Sequence, residues 1–223
     1  MSPATSGEKL HQLNTMVLTD SISGGLYQFP IYPFTETPDN QASVLLRCEE
    51  LFKFTRRNNS TFPILLIDNQ TGSEPGYPGA PAWKKSLNKL GVAESDIMLI
   101  PLTETPFHTL SEAFTTVRFV QQKQWRKLVI VAPPFHLLRC FLSVVTAIQT
   151  LKVDLKVYCQ VGITQPWYEY AVHSQGKTRG KRKNLIVGEI RRIVKYRRKN
   201  NQSAPLCSTD AALEYLEWRD TQP

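Results

Sequence analysis

Two residues that could bind an anion or carry a proton follow a strand-like segment in the middle of the chain. In "VIVAPPFHLLR" an apolar run ends at Pro133 and Pro134, and His136 and Arg139 follow three residues apart at the start of an apolar helical pattern. Side chains at this spacing share one helix face, and the free N–H groups of a helix start favour anions. The pair predicts a site for a phosphate or carboxylate. The equally weighted alternative is a capping His and a solvent-exposed Arg.

A second pair opens the preceding helical pattern, "HTLSEAF". Thr109 and Glu112 lie three residues apart, and Glu112 could orient His136 or act as a base. The same spacing is typical of a capping box, in which Thr109 caps the helix and Glu112 bonds back to the N–H of Thr109. That structural alternative is at least as well supported. His108 beside them is open to three interpretations: a base, a ligand contact or a loop residue.

Two adjacent glycines, Gly24 and Gly25, allow a ligand close to the backbone, although they form no GxGxxG motif. Arg47 stands on the following helical pattern and could point to the same place. Its usual role would be that of a solvated helix residue.

Strand-like runs alternate with helical patterns along most of the chain. This alternation predicts an α/β fold: a three-layer α/β/α, doubly wound, mostly parallel sheet of about five strands. The expected strands are residues 14–22, 64–68, 96–102, 127–132 and 155–162. We expect a flexible N-terminus (1–15), a Rossmann-like domain (16–165) and a basic helical extension packed on the same domain (166–223). Such sheets bind ligands beyond the carboxyl ends of their strands.

The formal net charge of +8 belongs to one segment. Residues 174–200 hold eleven Lys or Arg and one Glu, whereas the rest of the chain holds 16 basic and 18 acidic residues. One hypothesis is a nucleic-acid or acidic-partner surface that includes Lys181, Arg182 and Lys183. A solvated helix face is the commoner explanation of such a run. Glu189, its single acid, could reach a strand-end Arg, although an i, i+3 pair with Arg192 is simpler.

Other compositional signals are weak. The four cysteines have no metal-ligand spacing and are expected to be buried thiols. No apolar run approaches the roughly 20 residues that a spanning helix needs, so we expect a cytoplasmic protein with no membrane partner.

Taken in order along the chain, these motifs resemble a known family. The Gly-Gly pair, "SVLLR", "GVAESDI", "TLSEA" and "VIVAPPFHLLR" are similar to the YdcF and SanA domain family over residues 16–162. The resemblance implies a Rossmann-like three-layer fold with polar residues gathered at one end of the sheet. One member of that family is reported to bind S-adenosylmethionine, and others are linked to cell-envelope polysaccharide. The sequence departs from the family pattern at "DNQTG" and "TETPFH".

Together these features predict a site for a small anionic or nucleotide-like ligand at the strand ends, with S-adenosylmethionine as the cofactor that the resemblance implies. His136 and Glu112 are the candidate catalytic residues. The candidate ligand-binding residues are Gly24, Gly25, Arg47, Thr109 and Arg139. No metal site is predicted, and no reaction follows from the sequence.

Overall fold

The fold is built on a five-stranded parallel sheet. The computed structural model describes residues 5–20, 29–57, 62–68, 77–102, 107–173, 176–198 and 205–221. The strands of the sheet are β1 (Ile31–Pro33), β2 (Ile64–Asp68), β3 (Ile97–Pro101), β4 (Lys127–Ala132) and β5 (Lys156–Val161), in the order β3-β2-β1-β4-β5. The chain changes direction across the sheet between β1 and β4. This switch point leaves a crevice at the carboxyl ends of those two strands.

Helices cover both faces of the sheet. They are α1 (Ser6–Leu18), α2 (Pro38–Arg57), α3 (Ala80–Lys89), α4 (Thr109–Gln122), α5 (Leu137–Leu151), α6 (Arg182–Arg197) and α7 (Thr209–Thr221). α2 packs against α3, and α5 packs against α1, α4 and α7. The apolar side chains of β4 are buried from Leu128 to Ala132, as expected of a strand with helices on both sides. The predicted α/β class and parallel sheet are confirmed.

The predicted first strand is wrong. Residues 6–18 form α1, in which Leu13 and Val17 are buried, rather than a flexible start followed by a strand. The first strand is β1, only three residues long, and all three are buried. Prolines stand at Pro30 and Pro33, and neither can donate a hydrogen bond to a neighbouring strand. Such a segment gives little strand signal, although it lies at the centre of the sheet.

The end of β5 approaches α2 closely. The N–H of Ile163 donates to the carbonyl of Ser43 at 2.8 Å, and the Ser43 hydroxyl donates to the carbonyl of Ile163 at 2.7 Å. A Cβ on Gly162 would lie 2.9 Å from the Ser43 carbonyl oxygen and 2.4 Å from Oγ. Glycine at this position therefore permits the contact.

The segment after β5 is partly strand and partly helix. β6 (Tyr170–His173) and β7 (Thr178–Lys181) form an antiparallel hairpin, and α6 follows it directly. α7 packs against α1, and the Arg219 guanidinium bonds to the Asp20 carboxylate at 2.8 and 2.9 Å. Among the residues that the structure describes, no helix has the length and apolar character needed to cross a membrane.

Candidate functional site

A small cavity of about 180 Å³ opens at the carboxyl ends of β1 and β4. It stands at the switch point of the sheet, where doubly wound folds bind ligands. Polar and titratable side chains from β1, α4, α5, β6 and α6 meet there. The lining residues include Thr35, Glu36, Thr109, Glu112, His136, Arg139, His173, Lys177 and Arg192.

The centre of the cavity is a carboxylate–imidazole–hydroxyl arrangement. Glu36 follows β1, and its Oε1 lies 2.5 Å from Nδ1 of His136. The other ring nitrogen of His136, Nε2, lies 3.3 Å from Oγ1 of Thr109. The same hydroxyl oxygen accepts a hydrogen bond from Nη1 of Arg139 at 2.6 Å. Glu36 and His136 are both buried, so their interaction is shielded from water.

A second ionic group closes the cavity from the C-terminal side. Glu189 on α6 accepts hydrogen bonds from Nε of Arg139, from Nη1 of Arg192 at 2.5 Å and from the His173 ring at 2.9 Å. His173 lies at the end of β6, and its ring packs edge-on to that of His136 with centroids 5.0 Å apart. The pairing of Glu189 with Arg139 confirms the hypothesis that this acid reaches a strand-end arginine. The i, i+3 pair with Arg192 forms as well.

The pKa values of the two histidines are shifted in opposite directions. Burial, assisted by the nearby Arg139 charge, lowers the pKa of His136 below 6.5 despite the attraction of Glu36. Burial also disfavours charge on His173, but Glu36 and Glu189 lie on either side of its ring and raise its pKa. Burial alone would raise the pKa of Glu36, but His173 and His136 outweigh it and lower that pKa to about 2. These surroundings therefore favour the neutral form of His136 and the charged form of His173 beside the Glu36 carboxylate.

Glu112 lies at the predicted cavity but bonds to Tyr32 and Thr35 instead of orienting His136. Its Oε1 accepts hydrogen bonds from the Tyr32 hydroxyl at 2.6 Å and the Thr35 N–H at 2.7 Å, and its Oε2 accepts one from the Thr35 hydroxyl at 3.0 Å. Burial raises the pKa of Glu112 to about 7, although these hydrogen bonds oppose the shift. Glu112 thus fixes the loop that carries Glu36, while its carboxylate still borders the cavity.

The capping box predicted for Thr109 and Glu112 is wrong. His108 caps α4, since its Nδ1 accepts a hydrogen bond from the Ser111 N–H at 3.1 Å, and the Ser111 hydroxyl accepts one from the His108 N–H at 2.9 Å. Thr109 is the first residue of the helix. Its hydroxyl is therefore left to contact His136 and Arg139.

The structure brings together four of the predicted site residues, namely Thr109, Glu112, His136 and Arg139. Arg47 is not among the cavity residues: its Nε donates to the Val161 carbonyl at 2.8 Å, and Nη1 pairs with Glu50. Gly24 and Gly25 lie outside the described residues.

Three acidic or basic groups of the site were missed by sequence reasoning or only partly anticipated. Glu36 stands in "YPFTETP" after a strand that the sequence pattern does not predict, and His173 stands in a hairpin within the segment predicted as a helical extension. The one signal was the mixture of Glu and Thr with prolines at 33 and 38, which is typical of a loop at a strand end. Glu189 was noticed only as the single acid of a basic segment.

Glu36, His136 and His173 also form the kind of group that binds metal ions. Each can offer a ligand atom, and the three atoms lie within 4.8 Å of one another. Imidazole and carboxylate together suit divalent transition metals. In the arrangement described here Glu36 and His136 bond to each other, so a metal ion would have to replace that hydrogen bond.

The basic segment is less available to a partner than its composition suggests. Arg182 is buried and bonds to the Glu169 carboxylate at 2.9 Å and the Asp39 carbonyl at 2.8 Å. It therefore does not contribute to an exposed basic surface, contrary to the prediction for Lys181, Arg182 and Lys183. Lys183 is exposed, with its Nζ 4.7 Å from the centre of the Tyr168 ring.

Comparison of the chain with protein-family models, with curated proteins and with solved structures found no match.

Proposed function

We propose that the cavity binds a small anionic or nucleotide-like ligand and that the Glu36–His136 pair exchanges a proton with it. The observation that carries the proposal is the Glu36–His136–Thr109 arrangement, buried at the switch point of the sheet beside Arg139. A carboxylate on one imidazole nitrogen and a hydroxyl at the other is a common arrangement for acid–base catalysis.

The hydrogen-bond donors and acceptors around His136 indicate which of its ring nitrogens carries the proton. The oxygen of Thr109 accepts from Arg139, so its own hydroxyl proton can point to Nε2 of His136. Nε2 then acts as an acceptor, and the ring proton stays on Nδ1, where it faces Glu36 at 2.5 Å. The lowered pKa of His136 favours the neutral ring that this assignment requires. A neutral imidazole whose Nε2 lone pair faces the Thr109 hydroxyl would act as a base.

Cations around the cavity favour an anionic ligand. Arg139 and Arg192 share the carboxylate of Glu189, and Lys177 borders the cavity from the hairpin. Positive charges that are held by one carboxylate can also bind a phosphate or carboxylate that reaches them. Because the cavity is only about 180 Å³, it would accommodate the reacting group of a nucleotide-like ligand, with the remainder outside the opening.

Membership of the YdcF and SanA family remains part of this proposal, and with it the choice of S-adenosylmethionine as one ligand to test. Its carboxylate could lie against Arg139. The His-x-x-Arg motif that carries the resemblance supplies both His136 and Arg139 to the cavity.

The experiment is a thermal-shift and calorimetric screen of the full chain against inorganic phosphate, adenosine monophosphate, a sugar phosphate and S-adenosylmethionine. A ligand at about 100 times its Kd should stabilise the fold by about 2.7 kcal/mol, which raises Tm by roughly 5 to 11 °C. Calorimetry in buffers of different ionisation enthalpy measures whether protons are taken up on binding.

The variants are His136→Gln and Glu36→Gln, with His11→Gln as the control because His11 is exposed on α1. We expect His11→Gln to bind like the wild type, and His136→Gln to lose binding by at least about tenfold and to lose the linked proton uptake. Unchanged binding and proton uptake in a folded His136→Gln protein, or no binding of any of the four ligands, would contradict the proposal.

A further inference from the structure

One side of α6 carries a row of aliphatic side chains that the fold leaves partly exposed, and Ile186 and Ile190 of this row border an apolar groove between α6 and α1. Ile186, Ile190 and Val194 follow one another at intervals of four residues, so they form one row along the helix, and Val187 lies beside it. Their exposed fractions are between 40 and 51 %. The adjoining face of the helix, which includes Leu185 and Ile193, is buried. The exposed row therefore borders the side that packs against the domain.

Cations are interleaved with this row. Lys183, Arg191, Lys195 and Arg198 are exposed on or beside the same face. The single acid of the helix, Glu189, is buried and faces Arg139. This side of α6 consequently combines aliphatic groups with positive charge and has no negative charge of its own.

Two tyrosines extend the surface at the start of the helix. Tyr168 and Tyr170 are 71 and 68 % exposed, respectively. Tyr168 lies under the Lys183 ammonium, and Tyr170 is opposite Lys181 in the hairpin. Rings with an apolar body and a polar hydroxyl are favoured at the boundary between lipid and water.

The combination of aliphatic side chains and positive charge on this face favours one kind of binding partner over the others. A second copy of the chain in a symmetric pair would bring two positively charged surfaces together, and these repel. Nucleic-acid phosphates would pair with the lysines and arginines but would give Ile186, Ile190 and Val194 no apolar surroundings. An anionic lipid surface provides both, since its headgroups attract the cations and its acyl boundary takes up the aliphatic side chains.

We propose that α6 and the tyrosines of the hairpin form a peripheral binding surface for anionic lipid bilayers, with the helix lying in the plane of the surface. The proposal concerns adsorption rather than spanning. It rests on exposed residues that do not line the strand-end cavity, so its success or failure is independent of ligand binding there.

The experiment is co-sedimentation of the full chain with vesicles of phosphatidylglycerol and phosphatidylcholine in equal amounts, and with pure phosphatidylcholine. The variants are Ile190→Glu and a Lys183→Gln, Arg191→Gln double substitution. Leu46→Glu is the matched control, because Leu46 is an aliphatic residue on α2 with a similar exposure of 38 %. Far-ultraviolet circular dichroism and Tm verify that each variant is folded.

We expect binding to the mixed vesicles alone, with salt weakening it. Ile190→Glu should reduce binding to the mixed vesicles by about tenfold or more, because it places an anion where an apolar group would enter the acyl boundary. The double substitution should reduce binding by about fivefold for each charge removed. Leu46→Glu should bind like the wild type. Three results would overturn the proposal: no binding to mixed vesicles, equal binding by Ile190→Glu and the wild type, or binding to generic duplex DNA that Ile190→Glu leaves unchanged while vesicles bind nothing.

Discussion

Replacing Glu189 by Gln tests whether the C-terminal helix is held to the sheet domain by charge. The Glu189 carboxylate is 2 % exposed and accepts hydrogen bonds from Arg139, Arg192 and His173. Glutamine has nearly the same size and keeps one acceptor oxygen, but it has no charge. The variant therefore leaves the buried Arg139 guanidinium without its counter-charge while changing the packing little.

The expected loss of stability follows from the burial of that pair. Removing one partner of a buried ion pair costs about 3 to 5 kcal/mol, mainly because the other charge stays in the interior. Arg139 keeps its hydrogen bond to Thr109 at 2.6 Å, and Gln keeps one acceptor, so the lower end applies. We expect the free energy of unfolding to fall by about 3 kcal/mol, which lowers Tm by roughly 6 to 12 °C for a chain of this size.

The assay is denaturant unfolding of the wild type, Glu189→Gln, Arg139→Gln and the double variant. The double variant has no uncompensated buried charge, so its loss of unfolding free energy should be smaller than the sum of the losses of the two single variants. We expect this difference, the coupling free energy of Glu189 and Arg139, to exceed about 1.5 kcal/mol. Glu214→Gln on the exposed side of α7 is the control and should change stability by less than about 0.5 kcal/mol. A loss below about 1 kcal/mol for Glu189→Gln, or full additivity with Arg139→Gln, would refute the reasoning.

Two further predictions concern pH and close packing. The folded pKa of His173 is raised, so its stabilising charge is fully present below its ordinary pKa of 6.5 and is lost as pH rises through the folded value. The Tm advantage of the wild type over His173→Gln should shrink as the pH rises above about 6.5, and a constant difference would contradict the assignment of charge. Gly162→Ala should cost about 1 to 3 kcal/mol in denaturant unfolding because its Cβ would meet backbone 2.9 Å away. Gly180→Ala, whose Cβ meets nothing within 4 Å, is the control, and equal stabilities of the two variants would disprove the close approach.

The sequence predicted the sheet well where strands are continuous apolar runs. Strands β2 and β4 contain four and five consecutive buried residues, and each is followed by a polar or proline-rich end. The sequence pattern does not predict β1 because this strand has only three residues, with a proline on either side of Ile31 and Tyr32. The sequence pattern predicts the first strand at residues 14–22 instead, of which residues 14–18 belong to α1. Packing against α5 and α7 decided the helical conformation, and local pattern does not contain that information.

The candidate site was predictable where its residues follow strands in sequence. His136 and Arg139 are three apart after β4, and their shared face was visible as a spacing. Glu36 lies 100 residues before His136 along the chain, and Glu189 lies 50 residues after Arg139. Such contacts depend on the order of strands and on the path of the C-terminal segment. The spacing of residues along the sequence predicts neither the strand order nor the path of the C-terminal segment.

The distribution of the site along the chain has a consequence for its assembly during synthesis. A nascent chain that has reached Gly162 holds all five strands of the parallel sheet, together with Glu36, His136 and Arg139. It still lacks His173 and Glu189, so the arginine has no counter-charge and the carboxylate has one imidazole instead of two. Domains generally fold from the N-terminus as they are made. The sheet can therefore form first, and the cavity acquires its ionic balance only after the hairpin and α6 have been made and have docked.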